Sequence, residues 1–202
     1  MNEHKKGNLE FTKTDLVTGE VIPNVLISIY TDKDELVFEG MTDENGKVII
    51  SEFPYGHKYY IKETEPATGY LLSDEIINFE ITEDGEIIKA EMTNKPITGS
   101  LEFTKTDFST SETLPNTKIQ IFNEKDELVY EGITNEEGKI IIDELRYGKY
   151  YILESEAPEG YEINPNKMYF EITEDGEIVK CTMQDELIVE VPNTNLEDKT
   201  ST

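Results

Sequence analysis

The stretch Leu-Glu-Phe-Thr-Lys-Thr-Asp at residues 9–15 decides the fold, because the same seven residues return at 101–107. Other segments repeat with it: Asp-Glu-Leu-Val at 34–37 and 126–129, Tyr-Tyr-Ile at 59–61 and 150–152, and Phe-Glu-Ile-Thr-Glu-Asp-Gly-Glu-Ile at 79–87 and 170–178. The spacing is 92 residues early in the repeat (105 − 13) and 91 later (154 − 63), so one residue is lost near His57. This self-similarity predicts two copies of one module.

Each copy has the composition of short β-strands. Runs rich in Ile, Val, Tyr, Phe and Thr are separated by turn signals such as Asn45-Gly46 and Asp84-Gly85. No stretch keeps the 3.6-residue period of a helix, so we expect an all-β chain with about seven strands per copy, arranged as a small sandwich. The expected boundaries are 1–97 for module 1, 98–190 for module 2 and 191–202 for a C-terminal linker.

Composition excludes several classes of partner and of stabilisation. The formal net charge of the 202 residues is −26, which disfavours nucleic acid and anionic membrane surfaces as partners. The chain has one cysteine, Cys181, so an intramolecular disulfide is excluded. The first residues do not resemble a signal peptide and no run of 18 apolar residues occurs, so we expect no membrane insertion and interpret the chain as a piece of a longer secreted or anchored protein.

Three polar residue types in each copy fall on the apolar parity of a strand. Successive side chains of a strand point to opposite faces, so Lys13 shares the face of Leu9 and Phe11. The same pattern places a glutamate after Tyr-x-Ile and an Asn or Asp at the end of the last strand. The residues so placed are Lys13, Glu63 and Asn94 in the first copy, and Lys105, Glu154 and Asp185 in the second.

Together these residue types can form a covalent cross-link. Burial lowers the pKa of a lysine and raises that of a glutamate, which favours a neutral, nucleophilic amine and a neutral acid. The amine can attack the side-chain carbonyl of Asn94 or Asp185 while the glutamate shuttles the proton. The product is an amide, with ammonia released from Asn94 and water from Asp185. The alternative is that each residue lies at a strand end and bends out to solvent.

The motifs resemble those of a known family. The first strand, together with Tyr-Tyr-Ile-Leu-Glu-Ser-Glu-Ala-Pro-Glu-Gly-Tyr at 150–161, resembles the collagen-adhesin B-type repeat, also called the SpaA-type or prealbumin-like domain, of Gram-positive adhesins and pilins. The resemblance covers the chain as two copies. It implies tandem immunoglobulin-like, Greek-key β-sandwiches, each with a spontaneous isopeptide bond between its first and last strands. By position it assigns Lys13 and Lys105 as reactive lysines, Glu63 and Glu154 as catalytic acids, and Asn94 and Asp185 as acceptors.

Three departures from the family pattern limit what can be carried over. In the first copy the glutamate segment, Glu-Thr-Glu-Pro-Ala-Thr-Gly-Tyr at 63–70, exchanges Ala and Pro, which puts the loop in question. A Tyr-Pro-Lys-Asn motif, which supplies the inter-subunit lysine of pilus shafts, is absent from the sequence. The segment Val191-Pro192-Asn193-Thr194-Asn195 resembles a sortase sorting signal with Asn in place of Gly, and we interpret it as a linker.

Three classes of function follow. The first is a structural stalk or spacer in an extracellular, cell-wall-anchored adhesin or minor pilin, whose partners are neighbouring repeats of the same chain. The alternative is an adhesin module that binds a host extracellular-matrix or cell-surface protein. An enzyme acting on other molecules is not expected, nor is a cofactor or metal, because His4 and His57 have no ligand-spaced partners and no calcium loop occurs.

Overall fold

The computed structural model describes residues 5–188, in which fourteen strands and no helix occur. The segment 191–195 and His4 lie outside the described residues. The first compact unit, module 1, contains β1 (Lys6–Asp15), β2 (Leu26–Thr31), β3 (Leu36–Met41), β4 (Lys47–Pro54), β5 (Lys58–Glu65), β6 (Ile76–Glu80) and β7 (Ile87–Asn94). The second, module 2, contains β8 (Thr98–Asp107), β9 (Lys118–Asn123), β10 (Leu128–Ile133), β11 (Lys139–Arg146), β12 (Gly148–Glu156), β13 (Met168–Ile172) and β14 (Ile178–Asp185).

Each module is a sandwich of one three-stranded and one four-stranded sheet. In module 1 the strand orders are β4-β1-β7 and β3-β2-β5-β6. Module 2 repeats them as β11-β8-β14 and β10-β9-β12-β13. The non-consecutive neighbours show that the chain crosses between the two sheets instead of running as a simple meander. The prediction of an all-β chain with two tandem sandwiches is confirmed.

The core follows directly from the alternation of apolar residues in the sequence. In β1, Leu9 and Phe11 are completely buried, and they pack with Ile27, Ile29 and Ile61 of the opposite sheet. Burial of aliphatic and aromatic side chains of this size stabilises a fold by about 1.5–3 kcal/mol each. The core of module 2 is built from the equivalent strands of that module and again consists of aliphatic and aromatic side chains.

The first and last strands of each module lie side by side and parallel. In module 1 the register pairs Lys13 with Met92 and Asp15 with Asn94. In module 2, Asp107 is paired with Asp185. The lysine that the sequence predicts to react and its predicted acceptor are therefore on adjacent strands of one sheet, two register positions apart.

The single-residue difference between the copies falls in a turn. Residues 55–57 separate β4 from β5, and of these only His57 has no counterpart in module 2. In module 2 only Tyr147 separates β11 from β12, because β12 begins one residue earlier, at Gly148. Because the flanking strands keep their pairing, the shorter turn leaves the rest of the repeat in register.

Candidate functional site

A buried cluster of three polar side chains joins the two sheets of module 1. Lys13 Nζ lies 2.5 Å from Glu63 Oε2, and Asn94 Nδ2 donates a hydrogen bond of 2.8 Å to Glu63 Oε1. Lys13 and Glu63 are 0% exposed and Asn94 is 1% exposed. One carboxylate therefore contacts both the amine and the side-chain amide, with one oxygen on each.

Backbone groups fix the orientation of the amide. Asn94 Nδ2 also donates to Leu71 O at 2.8 Å, and Lys13 Nζ donates to Thr93 O at 3.4 Å. Asn94 Oδ1 is buried and has no hydrogen-bond donor within residues 5–188. The contact with the glutamate is thus made by the amide nitrogen of Asn94. The nitrogen that would leave as ammonia is held against a group that can protonate it.

The environment of Lys13 favours its neutral form. Burial lowers the pKa of the amine, and the hydrogen bond and charge of Glu63 only partly oppose this effect. A buried ammonium is costly, so transfer of its proton to the adjacent carboxylate yields two neutral groups without a change in total charge. Such a transfer produces a nucleophilic amine beside the amide.

Module 2 holds the corresponding cluster with an aspartate as the third member. Lys105 Nζ lies 2.9 Å from Glu154 Oε2 and is in direct contact with Asp185 Oδ1. The backbone N–H of Asn164 donates to Glu154 Oε2 at 2.8 Å. In the described part of the chain, Glu154 Oε1 and Asp185 Oδ2 are buried without a hydrogen-bond donor. Two carboxylates and one ammonium would leave this pocket with a net negative charge.

That surplus charge is relieved by a proton on Asp185. The pKa of the Asp185 carboxyl is raised to about 6, chiefly by burial and also by the neighbouring Glu154, while Lys105 acts in the opposite direction. Below this value Asp185 is a neutral acid, which is the form that an amine can attack.

The structure brings all six candidate residues into two clusters of three, one per module. The sequence analysis did not identify a hydrogen-bonded Asp–Tyr pair that the structure shows in each module. Tyr70 donates its hydroxyl hydrogen bond to Asp15 Oδ2 at 2.9 Å, and Tyr161 donates to Asp107 Oδ2 at 3.0 Å. The sequence does contain a signal for the aspartate of each pair, because Asp15 lies on the same strand face as Lys13 and recurs as Asp107 in the second copy.

The exchange of Ala and Pro in the first glutamate segment does not alter its turn. The backbone N–H of Tyr70 donates to Ala67 O at 3.1 Å, and that of Tyr161 donates to Pro158 O at the same distance. The turn before each tyrosine is therefore closed by the same backbone hydrogen bond, whether Ala or Pro provides the carbonyl.

Residues 5–188 have neither a metal-ligand cluster nor a membrane-spanning helix. No group of three or more His, Cys, Asp or Glu side chains is arranged to hold a metal ion there. Within the same residues, no helix has the length and the apolar character that a membrane crossing requires. Cys181 is partly buried against the module 2 core, and burial raises the pKa of its thiol.

Two tandem sandwiches, each of which buries a lysine, a glutamate and an Asn or Asp in contact with one another, define a class of tandem β-sandwich protein. The SpaA family, described as a prealbumin-like fold domain, matches residues 7–96 and 99–187, so the chain belongs to this family. The family resemblance drawn from the sequence is confirmed. No curated protein matches the chain.

Three solved structures are similar to most of the chain. The Bacillus anthracis TIE protein is 42% identical with a TM-score of 0.81, over 90% of this chain and 34% of that one. The chain thus spans about a third of the length of that structure. A streptococcal ancillary pilin is 18% identical with a TM-score of 0.45, over 94% of this chain and 64% of that one. BcpA, the major pilin subunit of Bacillus cereus, is 14% identical with a TM-score of 0.43, over 91% and 100%.

Proposed function

We propose that this chain is a stalk or spacer segment of an extracellular, cell-wall-anchored surface protein, and that each module closes itself with an isopeptide bond. The modules are those expected from the sequence, 1–97 and 98–190. The observation that carries the proposal is the set of buried contacts in each module. In module 1 Glu63 contacts both Lys13 and Asn94. In module 2 Lys105 contacts both Glu154 and Asp185.

In module 1 the reaction joins Lys13 to Asn94. Glu63 Oε2 accepts a proton from the ammonium, and the neutral amine attacks Cγ of Asn94. The Cγ–Nδ2 bond breaks as the Glu63 carboxyl group turns and returns the proton held on Oε2 to Nδ2, which leaves as ammonia. The attacking nitrogen then gives its extra proton to the carboxylate, which ends neutral. The product is one amide and one ammonia molecule.

In module 2 the reaction joins Lys105 to Asp185 and releases water. Glu154 accepts the lysine proton, and the amine attacks Cγ of the neutral Asp185. The hydroxyl leaves as water with the proton from Glu154, and the attacking nitrogen then gives its extra proton to the Glu154 carboxylate, which ends neutral. Both modules gain from proximity, because groups held in contact react as if at very high concentration. Glu63 and Glu154 are thus catalytic only once, in their own module.

A bond at this place suits a part of the protein that carries tension. The first and last strands of each module are adjacent, so the bond connects the points where the chain enters and leaves. An amide also withstands reduction, and the chain has only one cysteine. Recognition of a host protein, the alternative function, gains no support from these clusters because their side chains are buried. Single-molecule stretching tests the proposed role, since a cross-linked module cannot lengthen between its bonded residues.

The two modules should respond differently to rising pH. As pH rises through about 6, Asp185 loses its proton and becomes a carboxylate, which an amine does not attack. Asn94 has no such group, and rising pH increases the neutral fraction of Lys13. Bond formation in module 2 should therefore slow roughly tenfold for each pH unit above 6, whereas bond formation in module 1 should not slow.

The measurement needs an unreacted chain. A full-length chain assembled from synthetic segments in denaturant is diluted into buffers between pH 5 and pH 8, then quenched at intervals for intact mass. The Lys13→Ala chain reports module 2 alone and the Lys105→Ala chain reports module 1. Equal rates for module 2 at pH 5 and pH 8 would contradict the acid role of Asp185.

A further inference from the structure

The Asp15–Tyr70 pair, with its repeat Asp107–Tyr161, forms a connection that we call the latch. Asp15 is only 2% exposed, yet its carboxylate is well supplied with donors. Its Oδ1 accepts the backbone N–H groups of Val17 at 2.7 Å and Thr18 at 2.9 Å, and its Oδ2 accepts the Tyr70 hydroxyl. The carboxylate thus ties the turn after β1 to the loop after β5.

Module 2 builds the latch in the same way. Asp107 Oδ1 accepts the N–H groups of Ser109 and Thr110, both at 2.7 Å, and Oδ2 accepts the Tyr161 hydroxyl. The hydrogen bond from Thr110, more than any other contact, holds the pKa of Asp107 below its ordinary value, so the carboxylate is charged. The two copies therefore keep the same arrangement of three donors around one carboxylate.

Both segments that the latch joins contact the acceptor strand. The N–H of Leu16, next to Asp15, donates to Asn94 O at 2.9 Å. On the other side, Leu71, next to Tyr70, donates its N–H to Lys95 O at 2.9 Å and accepts Asn94 Nδ2 at 2.8 Å. The acceptor is therefore held at its own carbonyl, at its side-chain amide and at the following residue.

The contacts in module 2 are parallel. Phe108 N–H donates to Asp185 O at 2.8 Å, and Glu162 N–H donates to Glu186 O at 2.9 Å. The side-chain contact has no counterpart because an aspartate lacks the amide N–H. In its place, Asn164 from the same loop donates its N–H to the catalytic Glu154 and its side-chain amide to Gln184 O at 2.9 Å.

We infer that the latch is a positioning device for the cross-linking reaction, with Asp15 and Tyr70 acting in module 1 and Asp107 and Tyr161 in module 2. This inference rests on the proposed function. The latch residues act by fixing the two backbone segments that hold the acceptor residue against the lysine. A displacement of about 1 Å at a reacting centre can cost on the order of 100-fold in rate.

The test compares rates of folding and of bond formation in the same sample. A synthetic full-length chain with Lys105→Ala, so that only module 1 reacts, is diluted from denaturant. Circular dichroism follows folding, and acid-quenched intact mass follows the loss of ammonia. Tyr70→Phe removes the latch hydrogen bond and should slow bond formation in the folded chain by roughly 10- to 100-fold. A merely structural role would delay folding and leave the later chemical step unchanged.

Tyr60→Phe is the matched control, because Tyr60 also donates its hydroxyl to an aspartate, Asp34, at 2.8 Å, but away from the cluster. It should react at the unsubstituted rate. Tyr161→Phe with Lys13→Ala repeats the test in module 2 and guards against a folding failure in module 1. Folded Tyr70→Phe and Tyr161→Phe chains that react at the control rate would overturn the positioning role. An unsubstituted chain that loses no ammonia would instead overturn the proposed function itself.

Discussion

Glu63→Gln should leave module 1 without its cross-link, while module 2 reacts as before. Glutamine keeps the size of the side chain but can neither accept the Lys13 proton nor return one to the leaving nitrogen. Loss of a general acid–base group costs about 10²- to 10⁴-fold in rate. The intact mass should then show only the loss of water from module 2, about 18 Da. Glu154→Gln should show the reverse, with only the loss of ammonia.

The control for this substitution is Glu65→Gln. Glu65 lies on the same strand, two residues after Glu63, but is exposed. Its substitution should leave both bonds intact. Because Gln beside a buried lysine also removes a charge partner, circular dichroism must show that the variant is folded. A folded Glu63→Gln protein that still loses the mass of ammonia would show that the carboxylate is not the proton shuttle.

Lys13→Ala should change the response of the chain to force from stiff to extensible. Without the bond, module 1 can unfold under tension and release about 90 residues, matching the family domain at residues 7–96. At about 3.3–3.6 Å per residue this adds roughly 300 Å of length in one step. The unsubstituted chain should show no such step, because tension passes from β1 to β7 through the amide.

Stretching the chain from its two ends measures this directly. Lys105→Ala should add one step of similar size, and the double variant should add two. Lys89→Ala provides the matched control, since Lys89 is an exposed lysine on β7, the strand that carries the acceptor. An unsubstituted chain that lengthens by a full module would rule out the stalk role in its cross-linked form.

Much of this architecture could be predicted from the sequence because the repeat and the strand period are strong signals. The offset near 92 residues defined two modules, and the alternation in Leu-x-Phe-x-Lys placed Lys13 on the face of Leu9 and Phe11, where the structure has it. The same reasoning gave Glu63 and Asn94, since each ends an apolar run on one parity. These residues meet because three strands of two facing sheets converge at the same depth.

What the sequence did not provide was contact between distant residues and the identity of the touching atoms. The parity that placed Lys13 inward also places Asp15 inward, yet nothing local shows that Tyr70, 55 residues away, is its partner. Parity is likewise silent on rotamers, so it did not show that Glu63 meets the nitrogen of Asn94 and not its oxygen. Both features depend on how the loop after β5 folds back over the end of β7.

The central claim is that both modules cross-link themselves, and the intact mass of the purified, unsubstituted protein tests it most directly. Two bonds predict a mass below that of the sequence by one ammonia and one water, about 35 Da in total. Lys13→Ala should restore about 17 Da of that deficit and Lys105→Ala about 18 Da, after allowance for the substitutions. A mass equal to that of the unmodified sequence would show that the buried clusters do not react and would contradict the account.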